Sequence, residues 1–148
     1  MLQIKRATSD ELETIRLLFT EYAEWMEYEC CFETFDEELS DLPGLYAPPT
    51  GELLLAKVDG EPAGSAALKK VGEGLCEMKR LWVRKEFRNQ KIGISLIQEI
   101  LKIATNLSYQ KMRLDTAPRM TKAIELYKSL GFETISIGTD VIEMEKRL

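Results

Sequence analysis

Cys76-Glu77-Met78-Lys79-Arg80-Leu81-Trp82-Val83 runs directly into Arg84-Lys85-Glu86-Phe87-Arg88-Asn89-Gln90-Lys91-Ile92-Gly93-Ile94-Ser95, and the reading of this stretch decides the fold. Apolar side chains alternate at Cys76 and Met78, then resume at Leu81 and Val83. The change of step predicts a strand with a β-bulge between Met78 and Leu81. The alternative is a regular strand with Trp82 turned inward. A charged connector follows, then an amphipathic helix from about Gly93 to Asn106, with Leu96, Ile97, Ile100, Leu101 and Ala104 on its apolar face. A helix N-terminus presents unpaired N–H groups and a partial positive charge. That suits phosphate, and Gly93 permits a ligand close to the backbone. Lys79, Arg80, Arg84, Lys85, Arg88 and Lys91 place six positive charges within 13 residues, a pattern suited to a pyrophosphate. The connector is neither a P-loop nor a GxGxxG turn. By itself it reads equally as a plain strand-to-helix link.

Working outward, Glu52 to Val58, Ala63 to Val71 and Leu75 to Val83 form an antiparallel meander, turned at Asp59-Gly60 and at Gly72 and Gly74. Leu2 to Ala7 reads as a strand. Thr8-Ser9-Asp10-Glu11 matches a capping box. Leu12, Ile15, Phe19, Tyr22 and Met26 then follow at helical spacing, for about five turns. A short helix is expected around Asp36 to Ser40. Downstream come a strand from Lys111 to Asp115, a helix from Met120 to Leu130 stopped by Gly131, and closing strands at Phe132 to Ile137 and Val141 to Glu145. The order predicts an α/β sandwich with a mixed sheet, in one domain over residues 1–148.

Composition removes several chemistries. The chain has 148 residues, 45% of them hydrophobic and 30% charged, and no histidine. Ser–His–Asp and Cys–His catalysis are therefore excluded, as is His-ligated zinc. The three cysteines, Cys30, Cys31 and Cys76, form no CxxC pair, and no metal is expected. No apolar run reaches the roughly 18 residues of a membrane span, and the first ten residues lack a signal-peptide layout. The expected location is the cytoplasm, with no membrane partner. Charge is segregated: ten acids and no Lys or Arg lie between Arg16 and Lys57, while the rest carries 15 acids and 20 bases. This suggests two ligands of opposite charge; a solvated helix face accounts for it as well.

Three segments, Cys76 to Val83, Arg88-Asn89-Gln90-Lys91-Ile92-Gly93, and Ala123-Ile124-Glu125-Leu126-Tyr127-Lys128-Ser129-Leu130-Gly131-Phe132, resemble the Gcn5-related N-acetyltransferases. The resemblance covers the whole chain in element order. It implies a mixed, mostly antiparallel sheet of six to seven strands flanked by about four helices. It also implies an acetyl-CoA site, with backbone groups of Leu81, Trp82 and Val83 along the pantetheine arm. Arg88, Asn89, Gln90, Lys91, Ile92, Gly93, Ile94 and Ser95 would cradle the pyrophosphate. There are two departures. Lys91 stands where glycine is usual, and a Cβ resists the left-handed backbone such a loop needs. Met120 stands where many relatives carry Asn.

The resemblance assigns Tyr127 as the acid that protonates the leaving thiolate; on spacing alone it is a core tyrosine. Glu77 is the candidate base, or else an exposed strand carboxylate. The Leu81 N–H would polarise the carbonyl. The acceptor is a small-molecule or peptide amine attacking directly in a ternary complex; a route through Cys76 lacks a histidine to activate the thiol. Trp25, Tyr28 and Glu29, in the acidic stretch, are candidate contacts to a cationic amine. A homodimer is common among such relatives. One competing reading is a non-catalytic acyl-CoA-binding module. A nucleic-acid partner is disfavoured by the net charge of −5.

Overall fold

The computed structural model describes residues 1–28 and 32–148. Strands β1 (Leu2–Arg6), β2 (Glu52–Val58), β3 (Glu61–Gly72), β4 (Leu75–Val83), β5 (Lys111–Thr116), β6 (Glu133–Ile137) and β7 (Ile142–Arg147) form one seven-stranded sheet in the order β1-β2-β3-β4-β5-β7-β6. Every neighbouring pair is antiparallel except β4 with β5. Helices α1 (Leu12–Trp25), α2 (Phe35–Ser40), α3 (Ile92–Asn106) and α4 (Thr121–Ser129) complete the fold. No helix among the described residues is long and apolar enough to cross a membrane.

The helices start and stop where local chemistry directs. Glu11 accepts hydrogen bonds from the N–H of Thr8 at 3.0 Å and its hydroxyl at 3.3 Å, holding a 3-10 turn (Ser9–Glu11) that leads into α1. The β2–β3 hairpin turns on Asp59 and Gly60, both with positive φ, as a two-residue hairpin requires.

Both faces of the sheet are covered. One core packs Leu54, Ala66, Leu68, Cys76 and Met78 against Leu96, Ile97 and Ile100 of α3. The other packs Leu53, Leu55, Ala67 and Trp82 against Ile15, Leu18, Phe19 and Ala23 of α1 and Phe35 of α2. This resolves the two readings of β4. Pairing runs from Ser65↔Trp82 to Ala67↔Lys79, so Arg80 and Leu81 together oppose Ala66. Arg80, with φ +59°, is the bulged residue. Leu81 and Val83 join the α3 side with Cys76 and Met78, while Trp82 is buried on the α1 side.

Candidate active site

The site follows from an incomplete ladder. Parallel β4 and β5 pair only at Leu75↔Lys111, Cys76↔Met112 and Glu77↔Arg113. Beyond Glu77 the strands part, so Met78 to Val83 have no β5 partner on that edge. An edge of unpaired N–H and C=O groups accepts an added extended chain. The bulge at Arg80 and Leu81 lies midway along it.

At the far end of β4, a 3-10 turn (Lys85–Phe87) leads to Asn89 and Lys91, with φ +66° and +63°. Asn tolerates this conformation; Lys does not favour it. Lys91 nevertheless adopts the left-handed geometry, so the loop keeps its shape without the usual glycine. Lys91 is the residue before α3, and no described side chain caps that helix. The first-turn N–H groups of Ile92, Gly93 and Ile94 therefore face the loop. Ser95 turns away from them, its Oγ donating to the Lys91 carbonyl at 2.8 Å.

The basic run is less available than its sequence suggests. Arg84 makes two hydrogen bonds to Glu21 of α1, at 2.9 and 2.8 Å, and Trp82 Nε1 donates to the same carboxylate at 3.2 Å. Burial alone would raise the Glu21 carboxyl, but Arg84 and Trp82 bring it below the usual range. Arg80 is held by Glu38, and Lys79 lines an acidic cavity. Arg88 Nε donates to the Val83 carbonyl at 3.1 Å, and its guanidinium lies 5.0 Å from the Trp82 ring. Lys85 and Lys91 are left beside the loop.

Tyr127 is fixed by the end of α4. Gly131, with φ +99°, lets Gly131 N–H reach the Lys128 carbonyl and Phe132 N–H reach the Tyr127 carbonyl, both at 3.0 Å. This is a Schellman stop, with the Phe132 ring 6.0 Å from Tyr127 closing its apolar contact. The spacing Leu126-Tyr127…Leu130-Gly131-Phe132 is thus a device that pins one tyrosine. The phenol is buried, and burial pushes its pKa up, with a smaller push from Tyr22.

Glu77 sits at the last paired position, where the strands part. It lines both a small cavity with Tyr22, Met26 and Thr116 and an open cavity of about 580 Å³ walled by Glu33, Glu37, Glu38 and Asp41. Lys69 Nζ lies 3.6 Å from its carboxylate, across the strand pair. Asp115 lines both cavities from β5. Sequence reasoning missed Asp115 and Tyr22, because a strand-end acid and a helix-face tyrosine carry no signal of their own. Trp25 packs 5.6 Å from Trp82, with Arg88 at 5.5 Å and Arg119 at 5.9 Å, beside the loop and not on the acidic wall. Tyr28 is exposed and packs edge-on to Phe32 and Phe35. Glu29, Cys30 and Cys31 lie outside the described residues. Cys76 is fully buried, its thiol pushed up to about 12 by desolvation.

An opened parallel pair beside an uncapped helix is the frame of an acyl-coenzyme A-dependent transferase. Residues 12–132 match the acetyltransferase (GNAT) family model, and the chain belongs to this family of acyltransferases. It is 38% identical over 126 residues to an uncharacterized N-acetyltransferase of Schizosaccharomyces pombe, covering 84% of this chain and 77% of that protein. It is 27% identical over 143 residues to the thialysine N-epsilon-acetyltransferase of Sus scrofa, covering 86% and 82%. The PaiA N-acetyltransferase of Thermoplasma acidophilum, solved in complex with coenzyme A, shares the fold with a TM-score of 0.81 at 21% identity, over 100% of this chain and 99% of that one. The open β4 edge and the uncapped start of α3 fit an extended arm ending in phosphates.

Proposed function

We propose that the chain transfers an acetyl group from acetyl-CoA to a primary amine, carried by a cationic small molecule or a peptide, by direct attack with both substrates bound. The observation that carries this reading is Glu77, placed where β4 and β5 part and shared by the two cavities. Bound acetyl-CoA supplies an activated acyl carbon and a thiolate leaving group. The chain's residues do the rest. Leu81, Trp82 and Val83 offer backbone groups to the arm, and Asn89 to Ile94 offer N–H groups to the phosphates, those of Arg88 and Ser95 being bonded to the Lys85 and Lys91 carbonyls. The Leu81 N–H stabilises charge building on the carbonyl oxygen.

An alkyl ammonium has a pKa near 10, so attack needs a base. Glu77, directly or through water, takes the amine proton. The C–N bond forms, the C–S bond breaks, and Tyr127 gives its proton to the departing sulfur. Two protons leave the nitrogen: the one Glu77 takes from the ammonium passes to solvent, and the one shed as the amide forms restores the phenol through solvent. Raised by burial, the phenol stays protonated at neutral pH, as an acid must. Cys76, buried with a thiol pushed up to about 12, is poorly suited to a covalent route. The acidic wall draws a cationic acceptor.

Thermal stability with acetyl-CoA, free CoA and ATP tests the reading. A ligand at 100 times its Kd adds about 2.7 kcal/mol, or roughly 5–10 °C for a chain of this size. A shift with acetyl-CoA and little with ATP is expected, followed by thiol release in an amine screen. No shift at millimolar acetyl-CoA overturns the reading.

A further inference from the structure

Arg80 holds a backbone conformation its residue type resists, and it is not free to relax. Its φ is +59°, and a non-glycine residue persists there only when its surroundings over-determine it. Those surroundings are specific. The residue is 4% exposed. Nε and Nη2 donate to the two carboxylate oxygens of Glu38 on α2, at 2.8 and 2.7 Å. The guanidinium lies over the rings of Phe32, at 4.5 Å, and Phe35, at 5.2 Å. Its carbonyl accepts a hydrogen bond from Ser65 Oγ on β3 at 3.0 Å. The bulge is thus gripped twice, by β3 through the backbone and by α2 through the side chain.

The next residue, Leu81, carries the N–H assigned above to the carbonyl oxygen. Glu38 belongs to the helix that walls the acceptor cavity. We propose that Arg80 is a positioning residue, which locks α2 and the β4 bulge into one body so that the acceptor wall sets the aim of the Leu81 N–H. This inference rests on the reading of Leu81 given above. A planar, two-pronged guanidinium is required for it, because lysine offers a point charge on a flexible stem and cannot fix two parallel bonds.

The test uses Arg80→Gly, Arg80→Lys and Glu38→Gln in the full chain. Glycine accepts φ +59° without strain, so Arg80→Gly removes the tether while sparing the backbone. Three quantities are read: free CoA affinity by calorimetry, the infrared carbonyl band of bound ¹³C-acetyl-CoA, and kcat beside the two KM values. The wild type should lower the carbonyl frequency on binding. Each variant should keep CoA affinity within about twofold while the band returns toward its free position and kcat falls about tenfold or more, the expected result of misaiming one oxyanion donor. Glu38→Gln carries the test should Arg80→Gly not fold. Variants that retain both the band shift and kcat overturn the proposal. So does a uniform loss of CoA affinity, which would make Arg80 part of the general scaffold. A wild type that binds acetyl-CoA with no band shift overturns the Leu81 reading itself, and the proposal with it.

Discussion

The two ends of the cleft are built from different materials. The end proposed for the donor is made of backbone: an unpaired β4 edge, a left-handed loop at Asn89 and Lys91, and an uncapped helix start. The end proposed for the acceptor is made of side chains, with Glu33, Glu37 and Asp41 brought from the α2 region against Glu77 and Asp115 from two strands. Backbone sites tolerate side-chain change as long as the conformation survives. Side-chain sites do not.

Four changes would break or sharpen that contrast. The largest effect is expected at Tyr127→Phe, which removes the proposed acid and should lower kcat about 100-fold, with the acetyl-CoA thermal shift retained. The phenol is raised above its usual value of about 10, so the protonated acid persists to high pH and kcat should decline only above about pH 10. A limb at lower pH that survives in the variant would belong to another group. Next is Gly64→Ala. An added Cβ would stand 2.5 Å from the Trp82 carbonyl and force β3 from β4 beside the donor edge. Denaturant unfolding should show a loss of about 1–3 kcal/mol, and the acetyl-CoA shift should shrink.

Lys91→Gly should act the other way. Relief of the left-handed lysine is worth about 1 kcal/mol, read as a higher Tm, with acetyl-CoA affinity nearly unchanged. A large loss of affinity would show that the Lys91 ammonium, and not the loop backbone, holds the donor. The smallest effect is expected when Glu37→Gln and Asp41→Asn are combined. KM for a cationic amine should rise about threefold at low salt, while KM for acetyl-CoA and for a neutral amine stays the same.

The backbone of β4 and the end of α4 were legible because the residues that control backbone leave marks at fixed spacing. The change of step between Met78 and Leu81 encodes the bulge, and Leu130-Gly131-Phe132 encodes the stop that pins Tyr127. The competing reading, a regular strand with Trp82 inward, is overturned by the bulge; Trp82 is buried all the same, because a sheet covered on both faces has two insides. The acceptor end was not legible. Arg80 finds Glu38 at a separation of 42 residues, and Arg84 finds Glu21 at 63. Segregated charge in the sequence became paired charge in the fold. Tyr22 sits on the apolar spacing of α1 yet lines the cleft, because that spacing marks a helix face and not what the face meets. Trp25 joined the acidic stretch in sequence but the loop in space.

The short β4–β5 ladder also gives the molecule leverage. Three paired positions hold the strands at one end, and six residues of β4 continue past them. At about 3.3 Å per residue, the open arm is roughly 20 Å long. That arm is carried by β3 along its other edge, so the two move together; turning this half of the sheet by about 3° against β5–β7 moves the tip of β4 by about 1 Å relative to them, a displacement that can cost about 100-fold in rate. The joint is built on Cys76 and Met112, both fully buried. A change of one methylene there, in the core beneath α3, is therefore magnified along β4 before it reaches Leu81 and the loop.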